Sequence, residues 1–250
     1  MGICLSCFKP PKGDLVVEAA PNGDMILTHP EVKPTHTLVF LPGWSQSPED
    51  FEGWYFNIQN TPIPKHFRVR IVRSDVRPCT AVGGFKLHAW FDFKKDKFEK
   101  EDFYEKEDLD RADEKIQGVL REEAKVFGGD FSKVFIGGFS QGAMVTLYTG
   151  LQFQDQKLGG IISLSGLVIV AGRSELVCET QKQTPLCVIH QRPDTDVVFK
   201  TAEKSYVQLF EQEKTHNPDN FEYHWLPTGN HDLDKPMFTR FTAFLEKFSQ

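Results

Sequence analysis

Downstream of residue 105 the chain alternates short apolar stretches with longer segments whose apolar residues recur every third or fourth position, and this alternation restricts its fold more than any other feature. Residues 106–127 place Leu109, Ala112, Ile116, Leu120 and Ala124 along one face of a helix, with charges between them and Gly128-Gly129 as a stop. Strands are then expected at 134–137, 161–164, 186–190 and 221–226, and helices from Gln141, near 198–213 and near 234–248. Upstream, 37–41 and 67–72 read as two more strands. Residues 15–19 and 25–28 flank Pro21-Asn22-Gly23-Asp24, and Asn-Gly between apolar runs is the strongest short hairpin signal. Parallel strands need long crossovers, which helices supply. The expected fold is α/β: a mostly parallel sheet with an N-terminal antiparallel hairpin and helices on both faces.

No repeat or low-complexity linker interrupts the pattern, and 250 residues suit one core better than two. One domain over 14–250 is expected, preceded by a flexible segment at 1–13. With 29 basic against 35 acidic residues and a net charge of -6, there is no cationic surplus for phosphates, so nucleic acid is not an expected partner. No apolar run approaches the roughly 20 residues that cross a bilayer. Five cysteines (Cys4, Cys7, Cys79, Cys178 and Cys187) form an odd, sparse set, no Asn-x-Ser/Thr sequon occurs, and the N-terminus lacks the basic start and apolar core of a secretory signal. A reducing cytosol is the expected compartment.

Gly138-Phe139-Ser140-Gln141-Gly142 fits G-x-S-x-G and lies between a strand and a helix, the context that lifts a serine hydroxyl over the sheet edge. The alternative is a glycine-rich turn whose serine caps the helix. Partners distinguish the two, because a serine nucleophile needs an imidazole base and an acid to orient it, here in the order Ser, acid, His. Of the four histidines that follow, His231 alone sits in a loop past the last strand, in Gly229-Asn230-His231-Asp232. His224 is read as packing within its strand, His216 as solvated, and His190 as ending a strand beside the site without doing chemistry. The acid is expected just past 186–190, where Asp194 is preferred and Asp196 is the alternative; either also fits a turn or helix cap. For a tetrahedral oxyanion, the backbone N–H groups of Gln141 and Trp44 are the candidate donors, with Gly43 permitting close approach.

With these residues the chain resembles the acyl-protein thioesterase, or phospholipase/carboxylesterase, branch of the α/β-hydrolases over roughly residues 35–248. The resemblance rests on the elbow with Ala143, on Leu41-Pro42-Gly43, on Ala89-Trp90-Phe91-Asp92, on Leu164-Ser165-Gly166 and on Gly229-Asn230-His231. It implies a Ser140–Asp194–His231 triad, no metal or organic cofactor, and long-chain acyl thioesters or esters as substrates. Two departures stand out: Pro42 replaces the usual histidine before Gly43, and Gln191 and Val198 interrupt the usual pattern around the acid. Trp90, Phe91 and Leu167 are candidates for a substrate groove. Phe85, Phe93, Phe98 and Phe103 belong to the same aromatic-rich stretch, although aromatic residues more often pack in a core. The charged run 94–107 reads as a solvated face.

Met1-Gly2-Ile3-Cys4-Leu5-Ser6 matches the N-myristoylation acceptor, with Gly2 as the modified residue. One myristoyl chain binds a bilayer with a constant of only about 10⁴ M⁻¹, so palmitate on Cys4 or Cys7 is the expected second anchor. The alternative is an unmodified terminus with two spare thiols. The leading expectation is a serine hydrolase at the cytosolic face of a membrane that removes fatty acyl groups from protein cysteines. A carboxylesterase or lysophospholipase acting on small or lipid esters is the alternative, and a membrane-tethered binding module without turnover is a third reading.

Overall fold

The computed structural model describes residues 15–51, 63–94, 103–212 and 218–250. Residues 1–13, including Gly2, Cys4 and Cys7, lie outside that set, as do His216 and Phe98.

The chain opens with β1 (Val16–Ala19) and β2 (Met25–Thr28), an antiparallel pair closed by Gly23 at φ 83°. There follow β3 (His36–Leu41), a single turn α1 (Pro48–Phe51), β4 (Phe67–Ile71), β5 (Asp75–Cys79) and β6 (Phe85–Ala89). The second half holds α2 (Lys106–Val126), β7 (Val134–Phe139), α3 (Gln141–Gly150), β8 (Gly160–Leu164), β9 (Leu186–Gln191), α4 (Phe199–Gln212), β10 (Phe221–Leu226) and α5 (Lys235–Phe248). Eight strands form one sheet in the order β1-β2-β4-β3-β7-β8-β9-β10. From β4 to β10 every neighbour is parallel, and β2 pairs antiparallel with β4.

Central strands covered on both faces read as unbroken apolar runs because successive residues face opposite layers. Val39, Leu41, Val134 and Ile136 pack with Leu109, Ile116 and Leu120 of α2, Met144 and Leu147 of α3, and Tyr206 of α4. Leu38, Phe40, Phe135 and Ile162 face the other way, against Phe238, Phe241, Phe244 and Leu245 of α5. Asp234 caps α5, accepting from the Met237 N–H at 2.9 Å, and Pro236 occupies the first turn, where its missing N–H is not needed.

The β5–β6 pair is a separate two-stranded antiparallel sheet that the apolar pattern does not announce. Pro78 interrupts β5, and both strands are largely exposed, so burial left no periodic signature. Phe85, in β6, is 76% exposed and is no part of an apolar roof. A buried carboxylate was also illegible: Glu123 of α2, 1% exposed, meets the Arg68 and Arg70 guanidiniums of β4, with Asp24 on the far side of Arg70.

Candidate active site

Ser140 stands between β7 and α3 with φ 53° and ψ -120°, a conformation L-residues rarely adopt. Neighbouring glycines make that turn possible. A Cβ on Gly138 would lie 2.5 Å from the Gly142 carbonyl oxygen, and one on Gly142 would lie 2.1 Å from the Leu41 oxygen and 2.4 Å from that of Pro42. The end of β3 therefore crosses directly over the first turn of α3. Ser140 does not cap that helix with its side chain. Its Oγ instead lies 2.7 Å from His231 Nε2.

His231 follows β10 in a loop, also at positive φ (56°), with its ring 4.9 Å from that of Phe139. Its Nδ1 is 2.8 Å from Asp194 Oδ2. A carboxylate can only accept, so Nδ1 carries the proton and Nε2 is left to accept from the serine hydroxyl. Asp194 lies past the end of β9 and is 4% exposed. Its Oδ1 accepts the backbone N–H groups of Asp196 at 2.9 Å and Val197 at 2.8 Å, which fix the carboxylate. The geometry thus separates the two acid candidates: Asp194 is on the imidazole, whereas Asp196 lends Asp194 its backbone and faces the cavity.

His190 is fully buried below this group and is not among the residues lining the cavity. Its Nε2 donates to the Val197 carbonyl at 2.9 Å and lies 3.4 Å from Asp194 Oδ2. Burial lowers its pKa, while Asp194 pulls the other way. His224 is half-buried on β10, 3.4 Å from the Glu222 carboxylate rather than packed in the core.

In front of Ser140 lies a cavity of about 370 Å³, with Trp44, Phe91, Phe93, Phe139, Met144 and Val197 among its walls and Gln141 and His231 at its base. Among the three residues expected along a groove, Phe91 lines it, while Trp90 and Leu167 do not and are buried in the core instead. Trp90 has a different position: its indole Nε1 donates to the Pro42 carbonyl at 2.7 Å. The Gln141 side chain completes the bracket, accepting from the Trp90 N–H and donating to the Phe91 carbonyl, both at 2.8 Å. The turn at Pro42, which has neither the imidazole nor the N–H of its usual counterpart, is thus held through its carbonyl. Phe93, from the aromatic-rich stretch, lines the cavity beside Phe91, whereas sequence reasoning missed the cavity faces of Trp44, Met144 and Val197. Trp44 and Phe93 meet edge to face at 5.3 Å, a contact between distant segments that no local pattern encodes.

Trp44 and Gln141 line the same cavity as Ser140. Gln141 opens α3, where the backbone N–H has no intrahelical acceptor. Gln191, at the end of β9, is fully buried, and its amide bonds to Asp232 and Asp234, which follow His231 in the chain.

A parallel sheet carrying a serine elbow, with histidine and aspartate arriving from later strand ends, defines a serine hydrolase of α/β-hydrolase architecture. Residues 22–249 match the family model described as Phospholipase/Carboxylesterase, and the chain belongs to that family. Acyl-protein thioesterase 1 of Schizosaccharomyces pombe is 28% identical over 73% of this chain and 80% of its own length. The Mycosarcoma maydis protein of the same name is 27% identical over 86% of this chain and 92% of its own. Among solved structures, Arabidopsis thaliana SOBER1 superposes with a TM-score of 0.71 at 20% identity, covering 86% of this chain and 99% of that one. Zea mays acyl-protein thioesterase 2 gives 0.71 at 18%, covering 91% and 99%. At such identities these two likenesses establish the fold.

Proposed function

We propose that this chain is a serine hydrolase that cleaves fatty acyl thioesters from protein cysteines through an acyl-enzyme on Ser140. The observation that carries the reading is the continuous hydrogen-bonded chain Ser140 Oγ, His231 Nε2, His231 Nδ1, Asp194 Oδ2 at the floor of an apolar cavity. His231 takes the hydroxyl proton as Ser140 attacks the acyl carbon. Asp194 orients the imidazole and stabilises the imidazolium. The Trp44 and Gln141 N–H groups receive the oxyanion. As the tetrahedral intermediate collapses, the carbon–sulfur bond breaks and the cysteine leaves with the proton from His231. Water, activated by the same imidazole, then releases the fatty acid. Trp44, Phe91, Phe93 and Met144 offer an acyl chain an apolar wall.

The thioester preference is supported by the names of the relatives, and the family description supports carboxylester or lysophospholipid hydrolysis as the second reading of the same triad. Turnover of a palmitoylated cysteine peptide, a lysophospholipid and a short-chain aryl ester, compared at equal concentration, separates them. The thioester is expected to have the highest kcat/KM; a lysophospholipid that exceeds it contradicts the assignment. Absence of turnover on all three favours a binding module.

The sequence Met1-Gly2-Ile3-Cys4-Leu5-Ser6 supports a lipid tether, myristate on Gly2 with palmitate on Cys4 or Cys7, that holds the enzyme at the cytosolic face of a membrane where acylated substrates concentrate. Among the described residues, no helix is long and apolar enough to cross a membrane. In fractionated cells Gly2→Ala is expected to move the protein from membrane to supernatant. An unchanged distribution rejects the tether.

A further inference from the structure

At the opposite end of the strands from Ser140, three side chains with different donor atoms converge. Cys187 of β9 and Glu222 of β10 are register partners, and His224 lies two residues further along, so all three leave the same face of the sheet. Their ligand atoms, a sulfur, a carboxylate oxygen and an imidazole nitrogen, all lie within 4.8 Å of one another. His224 Nε2 and Glu222 Oε2 are 3.4 Å apart. Nitrogen and oxygen ligands bound tetrahedrally to Zn²⁺ at about 2.0–2.1 Å stand roughly 3.3 Å from each other, so that edge already has coordination spacing. The buried sulfur needs to close by up to about 1.3 Å.

We propose that Cys187, Glu222 and His224 form a site for one Zn²⁺, with water as the fourth ligand. Thiolate, carboxylate and neutral imidazole together carry two negative charges, matching the ion, and a mixed sulfur, nitrogen and oxygen set suits zinc rather than calcium or magnesium. The strands fix the backbone of all three ligands, and the 25% exposure of the Glu222 and His224 side chains opens an entry path. Lys247 Nζ donates to Glu222 Oε1 at 2.6 Å, and Oε2 is turned to His224. Burial holds the Cys187 thiol well above its ordinary pKa; Glu222 adds to this, and Lys247 and Arg240 from α5 oppose it. Binding therefore breaks the S–H bond, forms the S–Zn bond and releases one proton to solvent, while the His224 ring proton facing Glu222 moves to Nδ1 so that Nε2 can bind the ion, and affinity falls as pH is lowered.

The test is titration of the full chain with Co²⁺ followed by Zn²⁺, on a Cys4→Ser/Cys7→Ser background so that the terminal thiols contribute nothing. One equivalent of Co²⁺ is expected to give a thiolate-to-metal absorption band that Zn²⁺ displaces. Cys187→Ser should abolish the band, and His224→Ala and Glu222→Gln, both on the edge strand, should weaken binding at least tenfold. Lys247→Gln, which frees Glu222, should tighten it. A band that survives Cys187→Ser, binding unaffected by His224→Ala, weaker binding in Lys247→Gln, or no binding in the micromolar range would overturn the site. Because none of these residues touches the cavity at Ser140, esterase activity of the variants reports folding independently.

Discussion

The side-chain amide of Gln191 fills the space that any side chain at Gly229 would need: a Cβ there would stand 2.1 Å from Gln191 Nε2. That amide donates to the Asp232 carbonyl, to Asp232 Oδ1 and to Asp234 Oδ2, each at 3.0 Å, and accepts the Asp232 N–H at 3.1 Å. The loop bearing His231 is therefore wrapped around one buried polar group, where the pattern this chain resembles has a glycine. Gln191→Ala removes these bonds, but Asp232 is exposed and Asp234 half-buried, so the freed acceptors turn to water and the cost is about 1 kcal/mol in stability. It should lower kcat about tenfold with little change in KM, because the displaced group is the proposed base rather than the proposed acyl wall. Gly229→Ala, strained at φ 90° and clashing with the amide, should lower both stability and kcat. Steady-state kinetics beside thermal unfolding checks both variants.

The two acid candidates are separated by their hydrogen bonds. Asp194→Asn replaces the acceptor at His231 Nδ1 and should lower kcat by about 10³–10⁴-fold at neutral pH with the fold retained. In Asp196→Asn the backbone N–H to Asp194 survives, so kcat should stay within a few-fold of the parent. The pair is read on one ester substrate, and a larger loss in Asp196→Asn would reverse the assignment.

Trp90 acts on the turn at Pro42 through a single bond. Trp90→Phe keeps an aromatic ring in the core but removes the Nε1 donor to the Pro42 carbonyl. The expected cost is about 1 kcal/mol of stability. If this turn holds the proposed oxyanion donor Trp44, loosening it should lower kcat more than it raises KM, and titration with a transition-state analogue of the acyl carbon should show weaker binding.

Stability should depend on pH through His190. Its pKa is lowered in the folded state by burial, so the unfolded chain binds the proton more readily. The contribution is fully present above the ordinary value of 6.5 and is lost as pH falls from there through the lower folded-state value. Denaturant unfolding of wild type should weaken across that window. His190→Gln, which has no proton to gain, should flatten the dependence even if it is less stable throughout.

Much of this arrangement was readable because it is imposed locally. The glycines around Ser140 are needed wherever a strand end must pass over a helix start, and His231 is marked by its place after the last strand. The preference for Asp194 came from chain order and gained its geometric reason only from the Asp196 and Val197 amides. Trp90, Gln141 and Gln191 were different. Each acts through a side-chain bond to a segment 41 to 51 residues away, and no periodicity reports such a contact. Leu167 is apolar and follows Leu164-Ser165-Gly166, yet it packs inward, because an apolar residue gains as much from the core as from a groove. The exposed β5–β6 hairpin escaped notice for lack of any buried face.

The most direct measurement is intact-protein mass spectrometry with peptide mapping after brief exposure to a palmitoyl thioester or a fluorophosphonate. Ser140 should carry one covalent acyl or phosphonyl group in the wild type, His231→Ala should accumulate it far more slowly, and Ser140→Ala should carry none. A wild-type chain that stays unmodified, or an adduct that persists after Ser140→Ala, would contradict the account.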